Sequence, residues 1–77
     1  MTTTYRTDWM DHDDAVQVQH YPLHMGDKGQ LTAARLTARQ MSKRHGGAYV
    51  IKTVDGQDVA QLCYTNGRAC PHGWDAG

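Results

Sequence analysis

Over Thr3 to Met10 the chain alternates, with Tyr5, Thr7 and Trp9 interleaved between Thr4, Arg6 and Asp8. A period of two with β-branched and aromatic residues predicts a strand. Asp11-His12-Asp13-Asp14 is turn chemistry, since Asp side chains bond their own backbone and tolerate left-handed geometry. Ala15 to Tyr21 alternates again, with Val16, Val18 and His20 on one face and Gln17, Gln19 and Tyr21 on the other. Pro22 ends that strand because it has no N–H to donate. Residues 1–22 therefore read as an N-terminal hairpin.

After a connector from Leu23 to Gly29 the period changes to that of a helix, from about Gln30 to His45, with Asp27 as its cap (27–45 in all). Gly46-Gly47 stops it. Leu31, Ala34, Ala38, Met41 and His45 fall on one stripe, narrow and built largely of small residues, which suits close packing on a sheet. Leu36 points nearly opposite and is expected to be exposed.

Ala48 to Val54 and Gln57 to Tyr64 flank Asp55-Gly56, a strong hairpin signal. A two-residue turn sets Tyr49 opposite Leu62 and Ile51 opposite Ala60 on the core face. It leaves Val50, Lys52, Val54, Val59, Gln61 and Cys63 on the other. A three-residue turn with a bulge would shift the register by one on that strand and reassign its faces. Asn66-Gly67 is a second hairpin dipeptide that folds Arg68 to Cys70 back, so 48–70 holds the C-terminal hairpins. Residues 71–77 read as a loose tail, fixed only where Trp74 covers something. The fold class expected is α+β. It is a ββαββ chain whose four-stranded antiparallel sheet carries one helix on one face, with a short fifth strand. One helix covers one side of a sheet, so Val50, Val54 and Val59 are expected bare, inviting a protein partner or a second copy of the chain.

Seventy-seven residues allow one domain and a modest core. Formal charge is zero, which argues against coating nucleic acid by bulk charge, yet the signs are segregated. Lys28, Arg35, Arg39, Lys43, Arg44 and Lys52 occupy residues 28–54 without one acid, whereas Asp8, Asp11, Asp13, Asp14 and Asp27 precede them. Lys28, Arg35, Arg39, Lys43 and Arg44 are the candidate nucleic-acid contacts, although a solvated helix face explains the same pattern and no helix-turn-helix, zinc-finger or aromatic RNA-binding signature accompanies it. No stretch is apolar or long enough to cross a bilayer, and Met1 to Tyr5 lacks the features of a signal peptide. The expectation is a cytoplasmic protein with no membrane association and with both cysteines reduced.

Candidate chemistry is sparse. Cys63 and Cys70 flank the Asn66-Gly67 turn symmetrically, facing each other in a two-residue hairpin, and His72 follows. With His20, His24 or His45 they would make four zinc ligands, but the spacing matches no common zinc motif. A regulatory disulfide and plain packing as small hydrophobes are the other readings, and packing is the preferred one. Asp11-His12-Asp13-Asp14 has ligands for a divalent ion but not the alternation of an EF-hand loop, and it equally serves as an acidic patch for a basic partner. No nucleophile elbow, phosphate loop or paired catalytic carboxylates occur, so the expectation is a protein that is not an enzyme and uses no cofactor.

The run Gly46-Gly47-Ala48-Tyr49-Val50-Ile51-Lys52-Thr53-Val54-Asp55-Gly56, then Val59 to Tyr64 and Asn66-Gly67-Arg68, resembles small accessory proteins of bacteriophages that infect high-GC actinobacteria. The Met-Thr-Thr-Thr start and the helix Ala33 to Arg39 share that style. The resemblance covers about the last two thirds of the chain and carries over no functional residues. It implies a binding module or inhibitor acting on a host or viral protein in the host cytosol. Val50, Val54, Val59, Leu36 and Trp74 are the residues expected to make that contact, and nucleic-acid binding is the alternative.

Overall fold

The computed structural model describes residues 1–71. The elements are β1 (Thr3–Met10), β2 (Val16–His20), a short 3-10 turn (Leu23–Met25), α1 (Gly26–His45), β3 (Gly47–Val54), β4 (Gln57–Thr65) and β5 (Arg68–Ala69). The strands form one antiparallel sheet in the order β2-β1-β3-β4-β5. The helix packs on one face, so the α+β class and the single-helix layer are as expected.

Both predicted turns form. Asp55-Gly56 and Asn66-Gly67 all take positive φ, from 51° to 85°, the requirement of a type I′ turn, which matches the twist of the strands it joins. The helix starts earlier than its sequence suggests. Asp27 is not the cap but the acid of the first turn, where it faces the positive end of the helix dipole. Met25 holds the cap position without a side-chain hydrogen bond.

The core lies where Ala34 and Ala38 meet Tyr5, Ala48, Val50, Leu62 and Tyr64, with Trp9, Tyr21, Leu31 and Met41 packed around them. Buried Gln30 and Ser42 extend the alanines into one row at spacings of four. These small side chains bring the helix backbone close enough for Thr7 Oγ1 to donate to the Ala34 carbonyl at 2.8 Å. Tyr21 OH in turn donates to Thr7 Oγ1 at 3.0 Å. At the far end the Gly67 N–H donates to Ser42 Oγ at 2.8 Å, which fixes the second hairpin turn against the helix.

The register of β3 against β4 differs from the regular one. The outer pairs Val54–Gln57 and Thr53–Asp58 form as a two-residue turn requires, and then a bulge places Lys52 opposite Ala60. Val59 is the extra residue. The shift inverts the faces of β3. Val50 pairs with Leu62 and lies fully buried beneath the helix, while Tyr49 pairs with Cys63 and Ile51 with Gln61 on the opposite face. On β4 the expected division stands, with Ala60 and Leu62 facing the helix and Gln61 and Cys63 facing away.

Candidate functional site

The sheet face turned away from α1 is built in cross-strand rows. One row runs Val18, Asp8, Tyr49, Cys63 and a second runs His20, Arg6, Ile51, Gln61. Val16 pairs with Met10 in a third. The rows have different character because of what each strand contributes.

The Arg6 row is closed by charge. Arg6 donates through Nη1 and Nη2 to the two oxygens of Asp58 at 2.8 and 2.9 Å, and through Nε to Asp8 at 3.0 Å. Thr53 Oγ1 adds a bond to Asp58 at 3.2 Å. A bidentate guanidinium–carboxylate pair is the strongest arrangement of such groups. The Arg6 hydrogen bond is the main reason the Asp58 carboxyl is held below its ordinary range, and the same contact raises the Arg6 guanidinium. Ile51 is buried although it faces away from the helix. Its cross-strand neighbours Arg6 and Gln61 have stems long enough to cover it.

The other rows are open. Val16, Val18, Met10 and Tyr49 expose between 44% and 62% of their surface. A groove of about 390 Å³ opens between Asp8, Met10, Val16, Tyr49 and the helix end at His45, where Gly47 contributes no side chain. The acidic turn stands beside it. His12 bonds Asp11 both through its backbone N–H and through Nδ1, each at 2.8 Å, and the backbone bond leads in lowering the Asp11 carboxyl.

The residues expected to contact a protein do not form one surface. Val50 is excluded by burial under the helix, a consequence of the bulge. Val54 is half-buried, and Val59 is exposed at the bulge. Leu36 is exposed as expected but belongs to the helix layer, on the other side of the molecule from the open rows. Trp74 lies outside the described residues. Sequence reasoning missed Met10, Val16, Val18 and Tyr49 as a group. The alternation of β1 and β2 held the signal for three of them, and the bulge hid Tyr49.

The cysteines are joined. Cys63 and Cys70 form a disulfide with their Cα atoms 5.3 Å apart, and the Cys70 N–H donates to the Cys63 carbonyl at 2.9 Å. The expectation of two reduced, packing thiols is thereby corrected: the Asn66-Gly67 turn aligns them directly across the ladder. Bonded to each other, they are not available as zinc thiolates, and His72 lies outside the described residues. Among the described residues no group of three or more His, Cys, Asp or Glu is placed to hold a metal ion.

On the helix, Lys28, Arg35, Arg39 and Lys43 fall within an arc of about 80° at 3.6 residues per turn. Arg35 Nε donates to Tyr64 OH at 2.9 Å, which orients this flank toward β4. Leu36, Thr32, Arg35 and Arg39 line a shallow depression of about 380 Å³. Arg44 does not join them. It lies by Trp9, Gln17 and Met41 on the β1–β2 side.

Comparison of the chain with family models, with curated proteins and with solved structures finds no match. No helix among the described residues is long and apolar enough to cross a membrane.

Proposed function

We propose that this chain is a non-enzymatic protein-binding module that docks through the open rows of its outer sheet face. The observation that carries this reading is the exposure of Val16, Val18, Met10 and Tyr49 together on a surface that the helix leaves uncovered. An apolar patch rimmed by polar residues is the usual form of a protein contact. The β1–β2 turn beside Met10 and Val16 makes the rim acidic with Asp11, Asp13 and Asp14, while Asp8, between Val18 and Tyr49, is engaged by Arg6. The partner that fits is a folded protein presenting an apolar knob ringed by Lys and Arg. The resemblance to phage accessory proteins supports a host or viral protein as that partner, blocked by occupancy and met in the cytoplasm.

A second reading, nucleic-acid binding, has its own support in Lys28, Arg35, Arg39 and Lys43 along one exposed helix flank. One set of variants separates the two. A partner captured from lysate by the wild type is expected to survive Arg39→Ala and to be lost in Val16→Asp/Tyr49→Asp. Retention by the double variant contradicts the first reading. For the second, binding to random duplex DNA would weaken linearly with log salt, and Arg39→Ala would lower the slope by about 0.9 for each phosphate contact removed. Absence of binding at low salt eliminates it.

A further inference from the structure

The sheet has two edges, and they are treated differently. The β5 edge is two residues long and tied down by the Cys63–Cys70 disulfide. The β2 edge is five residues long, and each of them is exposed.

The β-turn that precedes β2 fixes which backbone groups face outward. The Asp11 N–H donates to the Ala15 carbonyl at 2.9 Å, so Asp11 and Ala15 are a hydrogen-bonded pair. Bonded and non-bonded pairs alternate along an antiparallel ladder. The bonded pairs are then Trp9–Gln17 and Thr7–Gln19, and the non-bonded ones Met10–Val16, Asp8–Val18 and Arg6–His20. Val16, Val18 and His20 therefore turn their N–H and C=O groups away from β1 into solvent. The His20 carbonyl receives the Gln19 side-chain amide at 3.0 Å. Among the described residues the rest of this row stands open.

Natural sheets protect such an edge with lysine, proline, an inward-pointing charge, a bulge or a covering segment. Among the described residues β2 has none of these: its sequence is Val-Gln-Val-Gln-His, and its register against β1 is unbroken. What fits an open row of alternating donors and acceptors is another strand.

We infer that β2 pairs antiparallel with β2 of a second copy of this chain, with Val18 on the two-fold axis, to join two five-stranded sheets into one. The strand's own pattern selects a second copy. About Val18 it reads nearly the same in both directions. Val18 meets Val18 of the other copy, each Gln17 meets a Gln19, and each Val16 meets a His20. Apolar residues thus stay on the outer face and amides on the inner one. The outward groups of residues 16, 18 and 20 give the main-chain bonds of an isologous interface. Charge selects the direction. Antiparallel pairing sets the two Asp11–Asp14 turns at opposite ends of the strand pair, about 17 Å apart for five residues and beyond the screening length of about 8 Å. Parallel pairing would put them side by side. This interface uses the strand edge, so it stands or falls independently of docking on the outer face.

The test is sedimentation velocity over a concentration series, together with backbone amide exchange on the same wild-type samples. The expected result is a dimer that grows with concentration, while exchange at the amides of Val16 and Val18 slows in step with the dimer fraction. Val18→Pro removes an N–H that points outward and costs no bond to β1, so the variant should stay folded by circular dichroism and sediment as a monomer. A dimer that survives Val18→Pro overturns the inference. So does a wild type that stays monomeric throughout, or one whose Val16 and Val18 amides exchange at a rate independent of concentration; neither needs the variant to fold.

Discussion

At the scale of single residues, a few polar groups hold the two layers in register. Thr7 is legible as a strand position sharing a face with Tyr5 and Trp9, but its hydroxyl reaching the Ala34 carbonyl is not, because nothing in the sequence reports how closely two layers approach. The burial of Gln30 and Ser42 is equally hidden. Their polarity hides membership of the row with Ala34 and Ala38. The titrating residues make a prediction at this scale. Asp58 has a folded value below its ordinary 3.8, chiefly through the Arg6 hydrogen bond. Above 3.8 both folded and unfolded chains carry it ionised and its stabilisation is complete. As pH falls below that value the unfolded chain takes up the proton first, and the stabilisation is lost. Tyr5 is raised above 10.0, by burial first and the Asp27 charge second. Its contribution is complete below 10.0 and fades as pH rises further. Denaturant melts across pH should therefore show stability declining on both sides. Arg6→Met should flatten the acid-side decline by removing the Asp58 share. An unchanged acid slope would show that the Arg6–Asp58 contact does not hold in solution.

Among elements, the strands and turns were largely readable and the exceptions have specific causes. Alternation gave β1 and β2, and the dipeptides Asp55-Gly56 and Asn66-Gly67 gave both turns. The bulge was unreadable because Val59 is as β-prone as its neighbours and no glycine marks it. The helix start was masked by Gly26 and Gly29, each unfavourable in a helix by about 1 kcal/mol against Ala. For the cysteines the symmetric spacing about the turn was visible, while the choice of thiol over disulfide rested on an expected compartment, which the spacing does not report. The disulfide closes a short loop, with a sequence separation of seven, for which chain entropy allows about 2.5 kcal/mol. Its removal in Cys63→Ser/Cys70→Ser should therefore act locally. Exchange protection of the Cys70 amide should fall, and that of the β1–β3 ladder should persist with the midpoint of unfolding lowered. Loss of all protection would mean that the β4–β5 staple holds the whole domain.

For the whole molecule, the consequential fact is that one helix serves a sheet of five strands. The layer arrangement expected from the chain pattern is the one found, and it leaves an outer face with an apolar part. The residues on that part are not those the pattern named. A one-residue insertion in β4 exchanged Val50 for Tyr49, and β2 supplied Val16 and Val18. A small domain has little core to spare, so apolar side chains left outside represent stabilisation forgone, which is why a docking role is the reading favoured here.

The face assignment of β3 can be measured directly with a soluble paramagnetic probe and methyl and aromatic NMR signals. The Val16 and Val18 methyls and the Tyr49 ring should relax strongly, and the Val50 methyls, fully buried under α1, should be spared. Strong relaxation of Val50 with protection of Tyr49 would restore the regular hairpin register and contradict the surface proposed for docking.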